Sequence, residues 1–177
     1  MAINFSELKK GEIVLLVTSA EKYISTSMQM LKYYCNQKNI SAVYVTVNKP
    51  YDSLIKILEK YNINTKKIFI IDAITPTSAK NKENAIFIGN PKELTSISIS
   101  STSAIKSIPG EKVFFFDSLS TLLIYNDSGS VTKFAHFLVN KMKSLDVSGV
   151  IISLEKEMDP KMLSQLSQFV DKVIEVK

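Results

Sequence analysis

The chain has 177 residues, a length typical of one domain with a substantial core, which we place at 1–177. With 45% hydrophobic and 22% charged residues it has the composition of a soluble globular protein, and no apolar run approaches the roughly 18 residues that span a bilayer. Its first residues, MAINFSELKKGE, lack the apolar core of a signal peptide. We therefore expect a cytoplasmic location and no membrane partner.

The net charge of +5 raises the question of a nucleic-acid partner, but the lysines form only small clusters: Lys9-Lys10, Lys66-Lys67, and Lys80 with Lys82. This scatter favours a solvated surface over a dedicated DNA-binding face. All 22 basic residues are lysines. The absence of arginine excludes bidentate guanidinium contacts to phosphate and an arginine finger, although lysine still binds anions as a point charge.

In chain order, short β-branched runs alternate with helix-length amphipathic segments. The first half predicts strands at Ile13–Thr18, Ala42–Val47 and Ile68–Asp72, helices at Tyr23–Gln37 and Tyr51–Tyr61, and a short strand at residues 85–89. The first of these helices is expected to bury Ile24, Met28, Leu31 and Cys35 along one stripe.

The second half continues the alternation. We predict helices at Glu93–Ile108, at Val131–Leu145 and after the Asp159-Pro160 helix start, with strands at Lys112–Asp117, Gly149–Leu154 and Val173–Val176. Continuous apolar strands separated by helices are typical of a mostly parallel sheet covered on both faces. The predicted fold class is a three-layer α/β/α domain.

Several residues have a structural interpretation that we prefer to a chemical one. Cys35, the single cysteine, lies in a helical pattern and is expected to be a buried filler. His136 falls off the buried stripe of its helix and should be solvated. The acidic cluster of Glu155, Glu157 and Asp159 is more typical of a loop and a helix cap than of a cation site. We predict no metal site.

Ligands of doubly wound folds bind beyond the carboxyl ends of the strands, which singles out Ser19–Thr26, Asn48, Asp72, Asp117–Ser120 and Glu155. The loop after the first strand would hold a P-loop, whose pattern is G-x-x-x-x-G-K-[ST]. Only Thr26 fits that pattern here. Ile24 stands where the second glycine would be, and Lys22 lies three residues too early for the lysine. Ser25 and Thr26, near a helix N-terminus, could still hold a small anion.

The segment KVFFFDSLSTLL delivers Asp117 to the end of an apolar strand, as in a Walker B segment. A carboxylate that caps the following turn through Ser118 or Ser120 is an equally good interpretation.

The order of these segments resembles the RecA superfamily, specifically its archaeal KaiC-like branch. VYVTVNKPYDSLIKIL and IFIIDAIT resemble the second strand with its helix and the third strand of that family. KVFFFDSLSTLLIYND is similar to the Walker B segment, and SGVIISLEKEMDPKMLSQLSQFVDKVIEV is similar to the late strand, helix and closing strand. Active members of the family bind ATP and commonly form rings that hydrolyse it at subunit interfaces.

Carried over by the resemblance, Asp117 would take the magnesium-associated position and Thr26 the P-loop hydroxyl. The P-loop glycines and lysine have no counterpart, and Val47-Asn48-Lys49-Pro50 replaces the acidic pair that follows the second strand in active members. The resemblance therefore implies a degenerate P-loop in a RecA/KaiC-like pseudo-ATPase with no catalytic residue and no cofactor. Such a chain would act as a regulatory or protein-interaction module, through self-association or assembly with a protein partner.

Two alternatives stay open. In the first, Lys22, Ser25, Thr26, Asp117 and Ser118 form a noncanonical phosphate site of a nucleotide or anion sensor, for example for ATP with magnesium. In the second, the positive charge serves a DNA-recombination accessory protein, whose DNA binding would depend steeply on salt.

Overall fold

The structure is a computed structural model that describes residues 9–78 and 82–176. It contains a seven-stranded sheet in which every pairing of neighbouring strands is parallel. The strands are β1 (Ile13–Thr18), β2 (Ser41–Thr46), β3 (Ile68–Asp72), β4 (Ala85–Phe87), β5 (Lys112–Asp117), β6 (Ser148–Leu154) and β7 (Lys172–Val176). Their order across the sheet is β4-β3-β2-β5-β6-β1-β7.

Six α-helices connect these strands in the described part of the chain. They are α1 (Tyr23–Lys32), α2 (Tyr51–Lys60), α3 (Leu94–Ser107), α4 (Leu119–Tyr125), α5 (Ser128–Ser144) and α6 (Pro160–Ser167). A π-helical turn at Tyr33–Gln37 extends α1, and 3₁₀ turns occur at Thr65–Lys67 and Glu155–Glu157. The buried residues of α1 and α2 belong to one core cluster, and those of α3 to α6 belong to the other. The predicted three-layer α/β/α architecture is confirmed.

The alternation of side chains along each strand supplies both cores. In β5, Phe114 and Phe116 point into the α3–α6 core, whereas Val113 and Phe115 point into the α1–α2 core. All four are fully buried. A strand covered on both faces has no polar side, which explains why the strand sequences read as continuous apolar runs.

Most of the predicted elements are present with ends shifted by one or a few residues. Helix α4 was not predicted. The largest shift in a helix start is at α5, which begins three residues before the predicted start because the Asp127 carboxylate accepts a hydrogen bond from the Ser130 N–H and caps the helix. Lys80, part of one predicted lysine cluster, lies outside the described residues.

The predicted buried stripe of α1 was wrong at Ile24, which is 39% exposed. The buried positions of this helix are Tyr23, Thr26, Ser27, Met28, Met30 and Leu31. Tyr23, Thr26, Ser27, Met30 and Leu31 follow the i, i+3, i+4, i+7, i+8 spacing of one helical face, which leaves Ile24 outside it. In the described part of the chain, no helix is long and apolar enough to span a bilayer.

Candidate functional site

Two buried carboxylates lie at the carboxyl end of the central strands. Strand β2 pairs with β3 on one side and β5 on the other, so that Thr46 is level with both Asp72 and Asp117. Both aspartates are almost completely buried. This is the edge where ligands bind in doubly wound sheets, so the contacts of the two carboxylates decide what the edge can do.

The carboxylate of Asp117 is surrounded by hydrogen-bond donors from this chain. The Tyr23 hydroxyl donates to Oδ1, and the Tyr44 hydroxyl donates to Oδ2 at 2.5 Å. The side-chain amide of Asn48 lies 3.3 Å from Oδ1, and the ammonium group of Lys49 lies 3.5 Å from Oδ2. Each carboxylate oxygen therefore has a phenolic donor and a second, longer contact.

The same donors are linked to one another. The Tyr23 hydroxyl accepts hydrogen bonds from Asn48 Nδ2 at 2.8 Å and from Lys49 Nζ at 2.6 Å, and Lys49 Nζ also donates to Asn48 Oδ1 at 3.1 Å. The Lys49 ammonium lies 4.3 Å from the centre of the Tyr23 ring, within range of a cation–π contact. We call Tyr23, Tyr44, Asn48, Lys49 and Asp117 the Asp117 cluster.

The topology explains how distant residues meet there. Helix α1 connects β1 to β2. In the sheet, β5 and β6 lie between these two strands, so the connection crosses over β5. Tyr23, the first residue of α1, consequently reaches the end of that strand. Tyr44 stacks on Phe115, with ring centres 6.1 Å apart, and its hydroxyl extends to Asp117.

Lys49 is held by the turn that follows β2. The Thr46 hydroxyl accepts a hydrogen bond from the Lys49 N–H at 3.0 Å and donates to the Lys49 carbonyl oxygen at 2.8 Å. Pro50 follows, and α2 begins at Tyr51. The ammonium group is thus directed back over the sheet edge, and the Lys49 side chain is only 18% exposed.

The electrostatics of the cluster favour one charged pair. Burial, together with the adjacent Asp117 charge, raises the pKa of Tyr23 and of Tyr44 well above the ordinary value of a phenol. Both phenols therefore stay neutral and act as donors. Pairing with the ammonium group and hydrogen bonding to the phenols offset the cost of burying the Asp117 carboxylate.

The cluster does not have the composition of a metal site. Asp117 is its only carboxylate, and the nearest charged group is a cation. Among residues 9–78 and 82–176 no group of three or more histidine, cysteine, aspartate or glutamate side chains is placed to hold a metal ion. A cation at Asp117 would have to displace donors that belong to the protein.

The predicted phosphate-site residues are only partly brought together. Lys22 directly precedes α1, and the Ser25 hydroxyl donates to its carbonyl oxygen at 2.9 Å. Thr26 is buried within α1. In the described hydrogen bonds, neither Ser25 nor Thr26 contacts Asp117. The backbone φ values of residues 19–26 are not positive, whereas a P-loop depends on glycines at this junction.

Ser118 has a structural contact. Its hydroxyl accepts a hydrogen bond from the Thr121 N–H at 3.4 Å and caps α4, and it lies 3.1 Å from the Ser120 hydroxyl. The cap of this turn is therefore the Ser118 hydroxyl, whereas the Asp117 carboxylate lies on the opposite face of the sheet in the Asp117 cluster.

A pocket of about 390 Å³ lies beside the loop that follows β1. It is lined by Ser19, Ala20, Glu21 and Lys22 from that loop and by Leu154, Glu155 and Lys156 from the end of β6. The lining carries two lysines and two glutamates, so its formal charges balance. We call it the β1–β6 pocket.

Asp72, the second buried carboxylate, is a structural residue. It accepts hydrogen bonds from the backbone N–H groups of Tyr51 at 2.7 Å, Ile74 at 2.7 Å and Thr75 at 2.9 Å, and from the Thr75 hydroxyl at 2.5 Å. It therefore binds the first residue of α2 and the turn after β3. With these donors in place it has no capacity for a ligand.

Three further predictions can be compared with the structure. Cys35 is buried, and desolvation raises the pKa of its thiol to about 12, which agrees with a filler role. His136 is exposed, with Asn140 Nδ2 3.0 Å from its Nε2. Asp159 caps α6 by accepting a hydrogen bond from the Lys161 N–H at 2.9 Å, and Pro160 occupies the first helical position.

The sequence did not identify Tyr44 or Lys49 as members of the site, and Tyr23 lies within the predicted range Ser19–Thr26 without a predicted role. A usable signal existed for Tyr44, because a tyrosine inside a fully apolar strand needs a buried partner for its hydroxyl. The position of Asn48 after β2 does predict a place at the site. For Lys49 the sequence indicates only that it stands in the replacement for an acidic pair.

The order and parallel direction of the seven strands match the α/β fold of RecA-type proteins. A KaiC-like protein of the hyperthermophilic archaeon Pyrococcus horikoshii superimposes with a TM-score of 0.71 at 12% identity, over 95% of this chain and 72% of that one. The flagellar accessory protein FlaH of Methanocaldococcus jannaschii gives a TM-score of 0.65 at 18% identity, again over 95% and 72%. The resemblance to RecA-type proteins is confirmed as a fold.

Residues 11–176 match the sequence model of DUF7504, a family of unknown function, and the chain belongs to that family. No curated protein matches this chain significantly.

Proposed function

We propose that this chain is a non-catalytic RecA/KaiC-like domain that acts as a regulatory or protein-interaction module. The observation that carries the proposal is the state of Asp117. Its carboxylate is satisfied by two phenols, an amide and an ammonium group of the same chain. The Lys49 ammonium supplies the positive charge that a bound cation would otherwise supply.

Two features of the loop after β1 support the same proposal. It has no glycine and no positive φ with which to wrap phosphate, and its helix begins with Tyr23, whose side chain lies on Asp117. The residues after β2, where active relatives are expected to carry acidic groups, are Asn48 and Lys49. An ammonium cannot act as the general base that activates a water molecule while it is protonated.

Steady-state phosphate release from ATP with magnesium tests the absence of catalysis. We expect the purified chain and its Asp117→Asn variant to give the same background rate. Turnover by the wild-type chain that is lost in Asp117→Asn would contradict the proposal, because it would require a working carboxylate. Asp52→Asn, an exposed position in the first turn of α2, is the matched control.

A second candidate function, a nucleotide or anion sensor, is favoured by the β1–β6 pocket. Lys22 and Lys156 line it together with Glu21 and Glu155, so the attraction for an anion comes from the position of Lys22 directly before α1, where the helix dipole favours negative charge. Here the ligand would bind beside Lys22 and would leave the Asp117 cluster intact. The sensor would therefore bind a phosphate group without hydrolysing it.

Calorimetric titration with ATP and magnesium, and separately with inorganic phosphate, distinguishes this candidate. A sensor gives saturating heat that is lost in Lys22→Ala and Lys156→Ala and is retained in Lys60→Ala, on the exposed side of α2. If neither ligand gives heat at high protein concentration, the sensor function is contradicted and the proposed protein-interaction function is retained.

A further inference from the structure

An apolar groove runs between α3 and α5, on the face of the sheet opposite the Asp117 cluster. Two adjoining recesses, of about 460 Å³ and about 300 Å³, share Ser98, Ile99 and Phe137 in their linings. Ile99 is 62% exposed and Phe137 is 50% exposed. Leu94 and Phe134 extend the apolar lining toward the N-terminal ends of the two helices. We call this feature the α3–α5 groove.

Short side chains flank the two exposed apolar residues. Thr95, Ser98, Thr102 and Ser103 line the groove from α3, and Ser130 lines it from α5. Ile99 and Phe137 are therefore the large exposed apolar side chains of this lining. A hydrophobic groove between two helices can bind the apolar face of a third helix, which anchors side chains at helical spacing.

The charged residues that line the groove are all lysines. The ranges of α3 and α5 contain no aspartate or glutamate, and Lys106, Lys133 and Lys141 line the two recesses. Among the described residues no ion pair engages these three lysines. The carboxylates closest in sequence lie beyond the helix ends: Glu93 and Asp127 precede α3 and α5, and Glu111 and Asp146 follow them. Asp127 caps α5.

This charge distribution selects among the possible occupants. A second copy related by a twofold axis would bring lysines against lysines, and like charges across an interface oppose association. A nucleic acid would match the lysines but would not cover Ile99 and Phe137. An apolar stripe flanked by carboxylates matches both features at once.

We propose that the α3–α5 groove binds an acidic amphipathic helix of a partner protein. Leucine-type side chains of that helix pack on Ile99 and Phe137, and its flanking carboxylates pair with Lys106, Lys133 and Lys141. The inference rests on the proposed interaction function and adds to it a binding surface and the chemistry of the partner.

The test uses the full chain and a synthetic probe. The probe is a fluorescent helical peptide of about 18 residues, with leucine at i, i+3, i+4 and i+7 and mainly glutamate elsewhere. A matched peptide carries lysine in place of glutamate. We expect the anisotropy of the acidic peptide to rise and saturate, with an affinity that falls as salt increases, whereas the basic peptide does not bind.

Groove variants then locate the site. Ile99→Ser and Phe137→Ser should each weaken binding by about tenfold or more, because they remove apolar anchors. Lys141→Glu should weaken binding and reduce its salt dependence. Ile124→Ser, on α4, and Lys60→Glu, on α2, alter an exposed apolar residue and an exposed lysine outside the groove lining and should leave the affinity unchanged. Lys141 is half-buried and the other four positions are exposed, and circular dichroism checks that each variant folds.

Several results would overturn the proposal. These are no binding of the acidic peptide, equal binding of both peptides, or an affinity unchanged in Phe137→Ser. A dimer in sedimentation that is lost in Phe137→Ser would assign the groove to a second copy, and binding to phosphatidylglycerol vesicles that is lost in Lys141→Glu would assign it to an anionic membrane. The two proposals fail separately. ATP turnover would contradict the non-catalytic function but would not affect peptide binding to the groove, whereas a lack of peptide binding would contradict the groove proposal but not the absence of turnover.

Discussion

The ammonium group of Lys49 lies 3.5 Å from the carboxylate of Asp117 and 2.6 Å from the hydroxyl of Tyr23. Lys49 comes from the turn after β2, Asp117 ends β5, and Tyr23 begins α1. These contacts of Lys49 link three elements at the edge of the sheet where ligands bind in folds of this class. The positive charge of Lys49 balances the negative charge of Asp117.

The Tyr44 hydroxyl provides a test of how much the cluster stabilises the fold. Tyr44→Phe removes a donor to Oδ2 of Asp117 and leaves the ring in place, so we expect the free energy of unfolding to fall by about 2 kcal/mol. Urea denaturation measures it. Tyr125→Phe, at a partly exposed tyrosine of α4, should change it by less than about 0.5 kcal/mol. An equal effect of the two variants would mean that the hydrogen bond contributes nothing.

The Lys49–Asp117 pair should show energetic coupling. Lys49→Met leaves a buried carboxylate without its cation and should destabilise the protein by about 2 to 3 kcal/mol, less than a fully buried pair because Lys49 is partly exposed. In the double variant with Asp117→Asn, the loss should be smaller than the sum of the single losses by about 1 to 2 kcal/mol.

The matched control for that cycle is the exposed pair of Lys10 and Asp146, whose charged atoms lie 3.9 Å apart. Lys10→Met and Asp146→Asn should show coupling below about 0.5 kcal/mol, since both side chains are solvated. Asparagine is tolerated at residue 146, where φ is 53°. Coupling at Lys49–Asp117 no larger than in this control would contradict the pairing described here.

Asp72 should behave as a structural carboxylate. Asp72→Ala leaves three backbone N–H groups without their acceptor, and we expect a loss of at least about 3 kcal/mol in chemical denaturation. Asp52→Ala removes only an exposed charge in the first turn of α2 and should cost less than about 1 kcal/mol. A mild effect at Asp72 would reopen the question of a ligand there.

Because of Cys35, we expect the free energy of unfolding to decrease at alkaline pH. Burial raises the pKa of its thiol from 9.0 to about 12 in the folded state. The unfolded chain therefore releases this proton first, and the corresponding stability, complete below pH 9, is lost progressively as the pH rises from about 9 toward 12.

Unfolding curves at pH 8, 9 and 10 measure this effect. Cys35→Ala should remove about 1 kcal/mol of the decline between pH 8 and pH 10. Native protein should also resist a thiol-specific reagent at pH 8 and react after unfolding in urea. Rapid labelling of the native protein would show that the thiol is more accessible than its burial indicates.

Much of the fold could be predicted from the sequence, for a physical reason. The IVLLV run of β1 and the VFFF run of β5 are apolar at consecutive positions, which is typical of strands in a sheet covered on both faces. Asp159 followed by Pro160 marks a helix start by local chemistry alone. Helix α4 escaped prediction because its seven residues are too few to establish a period.

The candidate site could be predicted only in part. The sequence by itself determined that the loop after β1 lacks glycine and that Asp117 lies at a strand end, because both are properties of contiguous residues. Only the tertiary structure decided what surrounds that carboxylate. The sheet order places β5 beside β2 and brings α1 across it, and the rotation of α1 about its axis buries Tyr23 instead of Ile24. Such contacts join residues up to 94 positions apart, and they depend on packing that no local pattern encodes.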